Sequence, residues 1–156
     1  HYTIVTIAST LPIIIIIFFT IGSILTIIFT INNFITINKE DSLVWKNEIQ
    51  FFNQYNFIII FFVIFLIIEL NSTIYSGWRQ IYFIYPSIIC LSLYGIRFIN
   101  NFIVKKKYFF LIIFFFISLQ VLWIIKNHPY QYVHYNFVAS KFAQKNFELD
   151  YWGLSN

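Results

Sequence analysis

Four long runs of this chain carry almost no charge, and they constrain the fold more than anything else in it. The first, Leu11–Ile31, "LPIIIIIFFTIGSILTIIFTI", has none at all. Its Thr, Ser and Gly can satisfy their polar groups inside a helix. At a rise of about 1.5 Å per residue it crosses a hydrocarbon core of about 30 Å. Three more runs follow: Tyr55–Leu70, lengthened by Phe51 and Phe52; Ile81–Ile99, with Pro86 in its second turn; and Tyr108–Ile125, with Trp123 near its end. Soluble domains carry about 25% charged residues; this chain carries 10%, against 60% hydrophobic ones. A water-soluble domain of 156 residues could not bury that much apolar surface. The expected fold class is therefore all-α, a polytopic transmembrane bundle of about four spans near 11–31, 52–70, 81–99 and 108–125. A polar region follows from Lys126 to Asn156. The Ile and Phe excess, with many Asn, Lys and Tyr, also fits an AT-rich coding sequence.

Local signals refine this plan. Pro12 suits the first turn of a helix, with Ser9 and Thr10 as candidate caps before it. The apolar residues ahead of Ser9 read as an extension of that helix or as a preceding loop. Asn38–Gln54 reads as a polar connection with a short interfacial helix carrying Trp45, Ile49 and Phe52 on one side. Pro86 predicts a kink or a late helix start. The densest basic cluster, Lys105, Lys106 and Lys107 with Arg97 nearby, assigns the loop between the last two spans to the cytoplasm by the positive-inside rule. By parity, 38–54 is cytoplasmic as well. The N-terminus, the loop 71–80 and the tail from Lys126 then face outside. The chain opens on His1, with no basic n-region and no small-residue cleavage site. It reads as a C-terminal membrane fragment of something longer, not as a signal peptide.

Several chemistries have little in this sequence to work with. One cysteine, Cys90, makes no intrachain disulfide and no cysteine-based metal site. His128 and His134 lack partners at ligand spacing, so no metal is expected. No Gly-rich phosphate loop or nucleophile elbow occurs, and no cofactor is expected. A net charge of +4, dispersed along the chain, leaves no nucleic-acid footprint.

The stretch "YSGWRQIYFIYP", Tyr75 to Pro86, interrupts this pattern. Gly77 permits a tight turn, and Tyr75 and Trp78 suit the headgroup level. Arg79 can fork onto a phosphate or a carboxylate. Gln80 adds a neutral donor and acceptor, and Glu69 is one short loop away and can pair with Arg79. Two readings stay open for these residue types: an interfacial anchor snorkelling into headgroups, or a site for a lipid-linked phosphate. In the tail, the i, i+2 spacing of Glu148 and Asp150 would put both on one face of an extended strand; "FELDYWG" reads as a strand or turn with either solvated carboxylates or a hold on a sugar or metal.

"STIYSGWRQIYFIYP" resembles the "TLYNGWRHLYFIYP" type of signature in bacterial polytopic glycosyltransferases of the family-39 group. These are the polyprenyl- or dolichyl-phosphate-mannose protein mannosyltransferases, with the lipid-A aminoarabinose transferases as cousins. The tail "HPYQYVHYNFVASKFAQKNFELDYWGLSN" is similar to the same proteins, in which "HPYQYVYFN" leads to "FELDYWGLSY". "STLP", Ser9 to Pro12, resembles their short entry to a span. Ser76 stands where the pattern has Asn or Asp, Gln80 where it has His, and His134 where it commonly has Tyr. The resemblance covers the C-terminal part of such a membrane domain. It implies transfer of a sugar from a polyprenyl-phosphate carrier to a protein or lipid acceptor at the outer face of a bacterial inner membrane. The acidic general base of the family lies upstream, so no catalytic residue is expected in this chain. Arg79 would stabilise the leaving lipid phosphate. Tyr75, Trp78 and Gln80 would shape the pocket, and Glu69 would orient Arg79. A transporter or assembly subunit is one rival reading; a ligase or polymerase acting on lipid-linked oligosaccharide is another.

Overall fold

A computed structural model describes residues 2–36, 44–72, 79–128 and 135–140. Among these residues the regular structure is entirely helical. The elements are α1 (Tyr2–Thr10), α2 (Ile13–Ile35), α3 (Glu48–Glu69), a 3-10 segment η1 (Arg79–Ile84), α4 (Tyr85–Phe102) and α5 (Lys106–Lys126). Among the described residues four helices are long and apolar enough to cross a membrane: Ile13–Ile35, Glu48–Glu69, η1 with α4 from Gln80 to Phe102, and Lys106–Lys126. The chain is thus a multi-pass helical bundle with a bilayer as its environment. One end of the bundle carries Lys105–Lys107 and is called here the basic end. The other, where α1, η1 and residues 135–140 gather, is the far end.

Residues ahead of Pro12 form a helix of their own, α1, and neither extend α2 nor run as a loop. Pro12 has no N–H and adopts ψ 135, so the helix breaks there. Ser9 and Thr10 do not cap α2. Their hydroxyls turn back into α1, Ser9 Oγ to Thr6 O at 3.0 Å and Thr10 Oγ1 to Thr6 O at 2.8 Å. Inside an existing helix the carbonyl three or four residues back is the nearest acceptor.

The segment read as a separate interfacial helix is the first part of a span. Asn47 Oδ1 accepts from Gln50 N at 2.8 Å and starts α3 as an N-cap, with Glu48 in the first turn complementing the dipole. The helix then runs unbroken to Glu69. Trp45 lies before it and packs on Phe51, ring centroids 4.8 Å apart. Gln50, Asn53 and Gln54 bring polar groups into the bundle. Asn33 Nδ2 on α2 donates to Gln50 Oε1 at 2.8 Å, and Gln54 Nε2 donates to Thr30 Oγ1 at 3.0 Å. Side-chain hydrogen bonds of this kind pin neighbouring helices within lipid.

Helices α2 and α4 make the closest contact. Gly22 and Gly95 face each other across it. A Cβ on Gly22 would strike the Leu91 carbonyl oxygen and lie 3.3 Å from Gly95 N; one on Gly95 would strike the Phe18 carbonyl oxygen. Ser23 and Thr26 on α2 and Ser87 and Ser92 on α4 are buried as well, and Ser92 Oγ shares its proton between Ile88 O at 2.8 Å and Ile15 O at 3.2 Å. Small residues allow this approach, and lipid supplies no hydrophobic drive to replace it. Helix α5 stands at the periphery. None of its residues is buried, and it touches α2 through Phe109, edge-on to Phe18 at 6.1 Å.

Helix α3 ends in a Schellman motif. Asn71 takes φ 45, Asn71 N donates to Ile68 O at 3.2 Å, and Ser72 N donates to Ile67 O at 3.1 Å. Only glycine, and after it asparagine, enters this region at low cost. Asn71→Gly is therefore expected to leave stability within about 0.5 kcal/mol, and Asn71→Val to cost about 1–2 kcal/mol. Denaturant titration of the purified protein in micelles reads both.

Candidate functional site at the far end

The apolar core lies toward the far end. Ile7 and Leu11 from α1, Ile60 and Ile67 from α3, Ile81 and Ile84 from η1, and Ile88 and Leu91 from α4 form one buried cluster. It determines where the polar-aromatic stretch can sit. The Schellman turn carries the chain away from α3 at Ser72. The chain re-enters at Arg79 as a 3-10 segment, because Pro86 suits the first turn of α4 and not its interior. Ile81 departs from helical geometry at φ −110, ψ 20. The late helix start expected from Pro86 takes this form.

Within η1 the side chains divide by direction. Ile81 and Ile84 point into the cluster, at 7% and 0% exposure, while Tyr82 and Phe83 are more than half exposed. Gln80 is exposed too. Tyr82 stacks on Tyr85, centroids 5.3 Å apart and planes 18° apart. The segment thus presents a polar and aromatic surface to the outside of the bundle, seated on two buried isoleucines.

The expected site residues fall as follows. Glu69 is the last residue of α3 and is exposed, and Gln80 stands at the start of η1. The backbone of Arg79 opens η1. Tyr75, Trp78 and the side chain of Arg79 lie outside the described residues, so the pairing of Glu69 with Arg79 does too. Glu148, Asp150 and His134 also lie outside them; His128 is exposed just past α5. Among the described residues no three His, Cys, Asp or Glu gather as metal ligands. Cys90 is a half-buried free thiol on α4.

Sequence reasoning missed two features. One is the carboxamide band at the basic end, where Gln50, Asn53 and Gln54 continue along α3 into a stripe of buried Ile60 and Ile67 and half-buried Phe57 and Ile64; that spacing of three and four residues was the available signal. Beside it, α2 and α3 leave a cavity of about 390 Å³ lined mostly by apolar side chains, with Thr30, Trp45 and Gln54 at its wall. The other is Asn136, buried at 4% exposure and bonded to the end of α1. No local pattern marks it, because its partners are 125 and 128 residues away.

No known protein family, curated protein or solved structure matches the chain.

Proposed function

We propose that this chain is a C-terminal part of the membrane domain of a glycosyltransferase that moves a mannose-like hexose, or a related sugar, from a polyprenyl-phosphate carrier to a protein or lipid acceptor. The transfer takes place at the outer face of a bacterial inner membrane, with the far end outward. One observation carries the reading: the described parts of the two stretches that bear the resemblance lie at the same end of the bundle, each against the end of α1. Residues 79–84 are seated there by Ile81 and Ile84, and residues 135–140 are bonded there through Asn136.

In the reaction, an acidic residue outside this chain takes the proton of the acceptor hydroxyl. The hydroxyl oxygen forms a bond to the anomeric carbon, the bond from that carbon to the phosphate oxygen breaks, and the carrier phosphate leaves with the electron pair. Negative charge grows on that phosphate, and a guanidinium at the membrane interface stabilises it with paired N–H donors. Arg79 supplies this cation. Gln80, Tyr75 and Trp78 border the donor, and Glu69 orients the guanidinium.

Arg79→Ala in native membranes is expected to lower kcat/KM for the lipid-linked donor by about 10–100-fold, the loss of a hydrogen-bonded charge. Arg79→Lys keeps the charge but not the fork and is expected to fall between. Membrane insertion, read by alkaline extraction, stays at the wild-type level. Donor use that is unchanged in Arg79→Ala removes Arg79 from the site.

A further inference from the structure

Asn136 sits where the end of α1 lacks partners. A helix leaves its last carbonyls without internal donors. The carbonyl of Ala8 would ordinarily receive the N–H of residue 12, which is Pro12 and has none. Asn136 Nδ2 takes that place, donating to Ala8 O at 2.7 Å and to Leu11 O at 2.9 Å. Its backbone N–H donates to Ser9 O at 2.8 Å. On its other side, Oδ1 accepts from Ala139 N at 3.0 Å, and its carbonyl accepts from Ser140 N at 2.9 Å. The side chain thus uses two N–H donors toward α1 and one acceptor within its own turn. Only a carboxamide offers that set; aspartate, of the same shape, offers acceptors alone.

The bonded carbonyls lead directly to the site-bearing segment. Leu11 is 4% exposed and packs, with Ile7, in the cluster that holds Ile81 and Ile84 of η1. Residues 135–140, the end of α1 and η1 therefore form one contiguous assembly at the far end.

We infer that Asn136 is a positioning residue: it latches residues 135–140 to the α1–α2 elbow and, through Ile7 and Leu11, holds η1 in register. Its consequence for donor binding rests on the reading of Arg79 and Gln80 given above; the latch itself does not.

The test uses the full chain with Cys90→Ala, so that one reporter cysteine is read at a time, in membranes open on both sides. Ser9→Cys and Ile81→Cys replace residues that are 2% and 7% exposed. Alkylation of such buried positions by a polar maleimide reports local opening. Asn136→Asp keeps the turn acceptor and sets a carboxylate against two carbonyls. It is expected to raise the labelling rate at both reporters by about tenfold or more. Phe137→Ala, at an 89% exposed neighbour, leaves both rates unchanged. Should Asn136→Asp fail to accumulate, Asn136→Ala is read in the same way. An unchanged rate at Ser9→Cys in both Asn136 variants overturns the latch. A rise at Ser9→Cys without one at Ile81→Cys overturns the hold on η1. Asn136→Asp also raises the donor KM with a smaller change in kcat, and an unchanged donor KM despite faster labelling overturns the positioning of the donor site. A wild-type protein that uses no lipid-linked donor overturns the donor reading, while the two labelling rates still decide the latch.

Discussion

Gly22→Ala and Gly95→Ala are each expected to destabilise the bundle by about 1–3 kcal/mol, the range for forcing a methyl into a packed contact. The added Cβ of either meets a backbone carbonyl, that of Leu91 or of Phe18. A carbonyl within a helix cannot swing aside as a side chain does, so α2 and α4 must separate along the whole contact. The double variant is expected to cost less than the sum, since the first methyl has already opened the crossing. Ser23→Ala, one residue along α2, gives the contrast. Ser23 is buried, and its Oγ has no hydrogen-bond partner among the described residues. Removing that oxygen is expected to be neutral or stabilising by about 1 kcal/mol. Unfolding in mixed micelles by a denaturing detergent reads all four proteins. Equal stability of Gly22→Ala and Ser23→Ala would show that the crossing is looser than these distances allow.

Ile84→Ala carries the second large effect, a loss of about 2–5 kcal/mol for a fully buried aliphatic side chain. Ile84 is 0% exposed and joins η1 to α1, α3 and α4 in one cluster. Ile84→Val removes a single methyl and is expected to cost about 0.5–1.5 kcal/mol. Phe83→Ala, next in the chain but 60% exposed, is expected to stay within about 0.5 kcal/mol in micelles. The same order should appear in the function proposed for Arg79, because Ile84 fixes the segment on which Arg79 stands. A Phe83→Ala protein less stable than Ile84→Ala would place the outward face of η1 inside the core and reverse its orientation.

Much of the bundle was legible before its packing was known. The nearly uncharged runs from Leu11, Tyr55, Ile81 and Tyr108 each became a spanning helix, because a backbone in lipid must satisfy its own polar groups and a helix does so locally. Pro86 marked the late start of α4 for an equally local reason. Helix ends were less legible. Glu48 and Gln50 looked like part of a connection, since their charge and polarity outweigh the N-cap signal of Asn47 that starts α3. Ser9 and Thr10 looked like caps because the separate helix α1 has too few residues for its periodicity to stand out.

The candidate site divides along the same line. "YSGWRQIYFIYP" was visible by composition alone, as a polar and aromatic break between apolar runs. The direction of its side chains was not: Ile81 and Ile84 turn inward while Tyr82 and Phe83 turn outward, and 3-10 geometry with an irregular Ile81 sets that division.

By itself, the sequence determined the class, the four spanning helices found among the described residues and the place of the polar-aromatic stretch between the second and third of them. Those follow from hydropathy, length and proline, which act within a few residues of where they stand. Tertiary structure alone decided which glycines meet, which carboxamides bond across helices, and that Asn136 closes the end of α1. Each of those depends on the approach of groups far apart in the chain, and the close fit of backbone to backbone at Gly22 and Gly95 has no counterpart in either helix alone.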